Sequence, residues 1–187
     1  GQTRPNSAVF YFEPQARDFA QLRWTLNSAT PAFDGVAVHL GWQQIQDDRR
    51  TRDFGSANEE RERNSSDLVG LTAQFNKALG AHYLTYGVEY YQDEIDSFRE
   101  RTNINTGAVS ARPSRFPDGS TMDTLSAYLA DDWQPSERMD VYGGLRWSRA
   151  DVELPPVING IGVDIAPSDW SGHFGMRYGL SDSVNLV

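Results

Sequence analysis

Val36-Ala37-Val38-His39-Leu40-Gly41-Trp42 decides how this chain folds. Val36, Val38, Leu40 and Trp42 fall on one side, with Ala37, His39 and Gly41 on the other. The stretch Met139 to Trp147 repeats the pattern, with Met139, Val141, Leu145 and Trp147 opposed by Asp140, Tyr142 and Arg146. A period of two is the signature of a β-strand, whose successive side chains leave opposite faces of the pleat. Each apolar stripe ends on a tryptophan, an interface residue with an apolar body and a polar N–H. Such strands are expected to cross a lipid bilayer rather than to cover a soluble core.

Composition is compatible with this. The chain has 187 residues, 39% of them hydrophobic, and a mean hydropathy of −0.58. No segment approaches the roughly 18 apolar residues of a membrane helix, but a barrel strand needs only every second residue to face lipid. The net charge of −9 opposes phosphate binding, so nucleic acid is not an expected partner. Lys77 is the single lysine among 17 basic residues, and the absence of cysteine excludes disulfides and thiolate metal sites. The first residues, Gly1 to Pro5, carry no signal-peptide stretch.

Outward from the opening stretch, eight strands are predicted, at about residues 19–27, 36–46, 68–76, 82–92, 124–133, 139–149 and 170–178, with an eighth starting at Ser183. Short turns alternate with long polar connections at Asp47–Asp67, Asp93–Asp123 and a Pro/Gly-rich run up to Asp169. Predicted strand lengths of about 9–11 residues suit a tilted crossing of the hydrocarbon. The class expected is all-β, an antiparallel up-and-down transmembrane barrel with short periplasmic turns and long extracellular loops. Residues 1–187 read as one barrel segment.

Carboxylate pairs at Asp47-Asp48 and Glu59-Glu60 read as solvated surface, because neighbouring strand residues point oppositely. Asp131 falls in register with Leu129 and Trp133, so Asp131-Asp132 is assigned to the periplasmic rim, where a charge costs little. His39, His82 and His173 fit no metal spacing, and no nucleophile constellation or phosphate loop occurs. Neither enzyme activity, cofactor nor metal is expected.

The stretch Ala127-Tyr128-Leu129-Ala130-Asp131-Asp132-Trp133-Gln134-Pro135, followed by Gly143-Gly144-Leu145-Arg146-Trp147, resembles the barrel of TonB-dependent outer-membrane receptors. Leu84 to Glu89 resembles the preceding strand of that family, and Asp169 to Met176 the following one. Trp147-Ser148 departs from the usual tyrosine and acidic residue. The resemblance implies a bacterial outer-membrane barrel of about 22 strands with a plugged lumen. It also implies import of a ferric siderophore or haem, driven through TonB. This chain is expected to supply about eight of the strands, without the plug or the TonB-interacting box.

In that setting the arginines of the long connections are candidates for meeting an anionic chelate: Arg49, Arg50, Arg52, Arg99, Arg101, Arg112 and Arg115. Lipopolysaccharide phosphates are an equal target for them. Lumen-facing candidates, opposite the apolar stripes, are Arg23, His39, Glu89, Tyr142, Arg146, His173 and Arg177. Expected partners are outer-membrane lipid, an iron chelate or haem, and TonB through parts of the receptor outside this chain. A second reading stays open: a self-contained eight-stranded outer-membrane barrel serving adhesion or structure.

Overall fold

The structure is a computed structural model describing residues 6–156, 160–181 and 184–186. Every regular element among them is a strand. These are β1 (Ser7–Asn27), β2 (Gly35–Asp53), β3 (Asn58–Leu79), β4 (His82–Asn103), β5 (Val109–Ala111), β6 (Ser120–Ser136), β7 (Met139–Leu154), β8 (Val163–Ile165), β9 (Ser168–Ser181) and β10 (Val184–Leu186). They form one antiparallel sheet in the order β1-β2-β3-β4-β6-β7-β9-β10, with β5 added to β4 and β8 to β7. The path leaves β1 and β10 as its two edges. A self-contained small barrel would need those edges paired to each other.

Directly paired residues in antiparallel strands share a face. The row Leu22–Leu40–Leu71–Tyr90–Leu125 therefore lies on one side of the sheet, as do Leu129–Leu145 and Trp147–Trp170. These residues stay in contact with the surroundings: Leu22 is 64% exposed, Leu145 62% and Phe174 78%. Val36 is the one buried hydrophobic residue among the described residues. The accessible surface is 12615 Å² for 21.0 kDa, against about 9,000 Å² for a compact soluble chain of that mass. Among the described residues there is no core for the apolar stripes to fill.

The apolar face is a band rather than a whole side. Towards the 54–57 turn the same face becomes polar at Asp18, Gln44, Asp67, Glu94, Asp123 and Arg149. Within the band each strand offers about four apolar positions, such as Val36, Val38, Leu40 and Trp42. At the other rim, turns 80–81 and 137–138 reverse the chain tightly, and the 28–34 connection is clamped by the lone lysine. Lys77 Nζ donates to Asp34 Oδ1 and to the Thr30 carbonyl, both at 2.7 Å.

Three sequence expectations are corrected. The stretch Asp47–Asp67 is no loop: β2 continues to Asp53 and β3 begins at Asn58, leaving only residues 54–57 as a turn. Likewise β4 extends to Asn103 and β6 starts at Ser120, and β1 begins at Ser7 rather than Phe19. The seven long strands run 14 to 22 residues instead of 9–11. The cause is common to all three: ladder hydrogen bonds continue past the apolar band, where cross-strand ion pairs replace apolar partners. Arg49, Arg50, Arg52, Arg99 and Arg101, expected in loops, accordingly sit on strands. The predicted start of the last strand at Ser183 lies outside the described residues.

Asp131 keeps its place on the apolar face, while Asp132 points to the other. At this rim the His82 Nδ1 is 2.7 Å from Asp131 Oδ2, and the His82 ring stacks on Trp133 at 5.5 Å.

Glycines on the polar face lie under rings. Gly70–Tyr91, Gly87–Tyr128, Gly175–Tyr142 and Gly144–His173 are direct cross-strand partners. A Cβ on Gly70 would meet the Tyr91 ring at 2.8 Å, and one on Gly175 the Tyr142 ring at 2.3 Å. Each absent side chain lets an aromatic ring lie flat on its neighbour strand, covering backbone that the glycine would expose.

Candidate functional site

The face opposite the apolar band carries every lumen candidate: Arg23, His39, Glu89, Tyr142, Arg146, His173 and Arg177. Their positions follow from register, since Arg23 pairs with His39, His39 with Thr72, and Thr72 with Glu89. Arg146 Nη2 reaches Glu89 Oε2 at 2.5 Å and its Nε donates to Ser148 Oγ at 3.2 Å. Arg177 Nε donates to Asp140 Oδ2 at 2.8 Å. Tyr142 and His173 cover Gly175 and Gly144. Near the top of the band, Phe19, Leu68 and Tyr91 wall an open hollow of about 220 Å³ over Gly41 and Gly70, with His39, Gln21 and Gln43 at its edge.

Beyond the band the polar face becomes an arginine–glutamate ladder. Arg49 Nη2 contacts Glu62 Oε2 at 2.5 Å, and Glu62 is only 2% exposed. Glu60 takes Arg99, and Arg101 Nε at 3.1 Å. Arg49, Arg99 and Arg101 are thus brought together by Glu60, which the sequence assigned to solvated surface, and by Glu62, which it did not single out. Strand alternation sends Arg50 and Arg52 to the opposite face, where both approach Glu59.

The 112–119 segment folds back onto this ladder. The Arg115 amide donates to Glu62 Oε1 at 2.9 Å, the Ser97 amide to Asp118 Oδ1 at 2.8 Å, and the Arg112 amide to the Arg99 carbonyl at 2.9 Å. The side chains of Arg112 and Arg115 remain exposed, with no carboxylate partner among the described residues. The region therefore presents two unpaired guanidiniums above three that share two carboxylates, a surface suited to multivalent anions. No group of His, Cys, Asp and Glu gathers to hold a metal among the described residues.

Glu60 feels two opposed influences. Burial raises its pKa, but hydrogen bonds from Arg99 and Arg101 outweigh that and hold it below its ordinary 4.5. The Glu60 hydrogen bond in turn raises the pKa of Arg99 against burial. Because the folded-state value of Glu60 lies under the unfolded one, its ionised form favours the native state. That contribution is complete above pH 4.5 and vanishes as pH falls through the depressed value. Protection factors of the β3 and β4 amides near Glu60, which compare exchange with its intrinsic rate at each pH, are expected to fall below pH 4.5 in the wild type. In Glu60→Gln protection is expected to be lower at neutral pH and to lose that acid step. A wild-type acid step that persists in Glu60→Gln would assign it to another group.

A family model described as "TonB dependent receptor-like, beta-barrel" matches residues 1–186. The curated "Hemin receptor" of Yersinia pestis is 26% identical over 162 residues, 83% of this chain and 22% of that protein. Among solved structures, the copper transporter OprC superposes with a TM-score of 0.77 at 17% identity, over 92% of this chain and 29% of its own. The unliganded ferric citrate transporter FecA gives 0.65 at 17% identity, over 98% and 27%. The chain thus spans less than a third of the length of these relatives. The match over nearly every residue, on a sheet with one apolar and one polar face, means that this chain belongs to the TonB-dependent receptor-like β-barrel family.

Proposed function

We propose that this chain is an arc of a larger outer-membrane barrel in a bacterial receptor that imports a ferric siderophore or haem. The observation that carries the reading is the division of one sheet into an exposed apolar band and a polar face capped by arginines. The band faces lipid and the polar face lines the wet passage, with TonB acting through parts of the receptor outside this chain. The hemin receptor relative favours an iron-bearing ligand, and the exposed guanidiniums suit haem propionates or siderophore carboxylates and catecholates. Arg112 and Arg115 make first contact, while Arg49, Arg99 and Arg101 hold the loop in place. Arg23, His39, Glu89, Tyr142, Arg146, His173 and Arg177 line the passage.

Growth of a receptor-deletion strain on single iron sources tests this. The intact receptor is expected to restore growth on haem or on one ferric chelate, only when TonB is present. Restoration on none of them, or without TonB, contradicts the proposal. In the same strain Arg112→Ala with Arg115→Ala is expected to weaken chelate binding about tenfold, the loss of ~1.4 kcal/mol. The unfolding midpoint should stay unchanged, since neither side chain has a partner to lose.

A further inference from the structure

We propose that the polar wall over Gly41 is a slot for one aromatic ring of the imported chelate, a ring bearing an ionised oxygen; this rests on the transport reading above. Four glycines of that wall are already covered from within the chain. A Cβ on Gly70 would meet Tyr91, on Gly87 Tyr128, on Gly144 His173 and on Gly175 Tyr142, each at 2.8 Å or less. Gly41 breaks the pattern. Apart from its chain neighbours, no atom stands within 4 Å of where its Cβ would be. Its cross-strand partners are Gln21 and Gly70, and neither supplies a ring. The result is the hollow of about 220 Å³ walled by Phe19, Leu68 and Tyr91. Bare strand backbone forms its floor, a flat surface that a ring from outside can cover as the other four are covered.

Size and edge chemistry select the occupant. A cavity of about 150 Å³ holds benzene, so this hollow takes one substituted ring and is too small to enclose a porphyrin. A flat ring gains from edge or offset contact with Phe19 and Tyr91, a gain that an aliphatic carboxylate chelate lacks. The rim calls for an oxygen anion. Arg17 holds its guanidinium carbon 5.9 Å from the centroid of the Phe19 ring and donates to Gln43 Oε1. That bond uses one N–H of Arg17 and leaves the amide nitrogen of Gln43 free to donate. Neither side chain has a further hydrogen-bond partner among the described residues, and the side chains of Gln21 and His39 have none there. A phenolate or catecholate ring fits such a slot with its carbon faces against the walls and its oxygens towards the rim donors.

The test titrates the intact receptor in detergent with iron(III) dihydroxybenzoate, which carries such rings, and with iron(III) citrate, which carries none. Gly41→Phe supplies the missing ring from the chain itself. It is expected to lower affinity for the dihydroxybenzoate complex about tenfold, to leave the response to citrate unchanged, and to keep or raise the melting midpoint. Arg17→Leu, on the exposed rim, should lower affinity for the dihydroxybenzoate complex about threefold with an unchanged midpoint, and it decides the matter alone if Gly41→Phe does not fold. Wild-type receptor that does not bind the dihydroxybenzoate complex overturns the proposal, as does unchanged affinity in the variants. An equal loss for citrate in Gly41→Phe overturns the ring as the recognised group. A lowered midpoint of Gly41→Phe with unchanged binding overturns it too, and assigns the slot to a side chain from elsewhere in the receptor. Binding without TonB-dependent uptake by the wild type would instead overturn the transport reading and leave the slot standing.

Discussion

Leu71→Arg is expected to destabilise the receptor by about 2–4 kcal/mol in a bilayer, while Thr72→Arg changes stability by less than about 0.5 kcal/mol. Adjacent residues of one strand thus respond with opposite tolerance. Leu71 sits in the middle of the apolar band, paired with Leu40 and Tyr90 and 42% exposed. A guanidinium there must give up its water to hydrocarbon. Thr72 points to the polar face between His39 and Glu89, and an arginine at that position gains a carboxylate neighbour. Urea unfolding of the receptor in vesicles reads both effects. Equal losses for the two variants would mean that neither face contacts lipid.

The second large effect concerns the rings over glycines. Gly87→Ala would place a Cβ 2.5 Å from the Ala73 carbonyl oxygen and 2.7 Å from the Tyr128 hydroxyl. Backbone cannot step aside, so a loss of about 2–3 kcal/mol is expected, and adding Tyr128→Ala should recover little of it. Gly175→Ala differs, since its three nearest atoms all belong to the Tyr142 side chain at 2.3–2.4 Å. Here Tyr142→Ala should restore most of the loss, giving a coupling of about 1–2 kcal/mol in the double-mutant cycle. A large coupling at Gly87 and none at Gly175 would reverse the assignment of backbone and side-chain contacts.

The legible part of the sequence was the apolar band. Val36 to Trp42 and Met139 to Trp147 alternate large apolar residues with small or polar ones, so strand and face could be read directly. Beyond the band both faces are polar and the contrast disappears, which is why Asp47–Asp67 looked like a loop. A different signal was present there. Asp48 and Arg63, Arg49 and Glu62, and Arg52 and Glu59 are mirror positions about Gly55-Ser56, and each pair is complementary in charge and bridged in the structure. Gly55, at φ 75°, supplies the turn conformation at that centre. Charge symmetry about a glycine would have identified the hairpin.

The candidate site was legible only in part, for the same reason. Grouping Arg49, Arg50 and Arg52 by proximity in sequence ignored the pleat, which sends the first to one face and the other two to the opposite one. Glu60 read as a surface acid and Glu62 was not singled out, yet they hold Arg49, Arg99 and Arg101 in place and anchor the 112–119 segment. Their partners come from β2, from β4 and from the segment before β6, so only strand pairing brings them together.

The most direct measurement is a thiol scan along β3. The chain has no cysteine of its own, so single cysteines at positions 67 to 73 are unique within it and can carry a spin label. In bilayers, labels at Val69, Leu71 and Ala73 are expected to be relaxed by oxygen dissolved in lipid, and labels at Gly70 and Thr72 to lack that response. Label at Asp67 should respond chiefly to an aqueous nickel chelate, marking the upper edge of the band. A uniform aqueous response at all of these positions, or lipid contact at Gly70 and Thr72 instead, would contradict a sheet with one face in hydrocarbon and the other lining a polar passage.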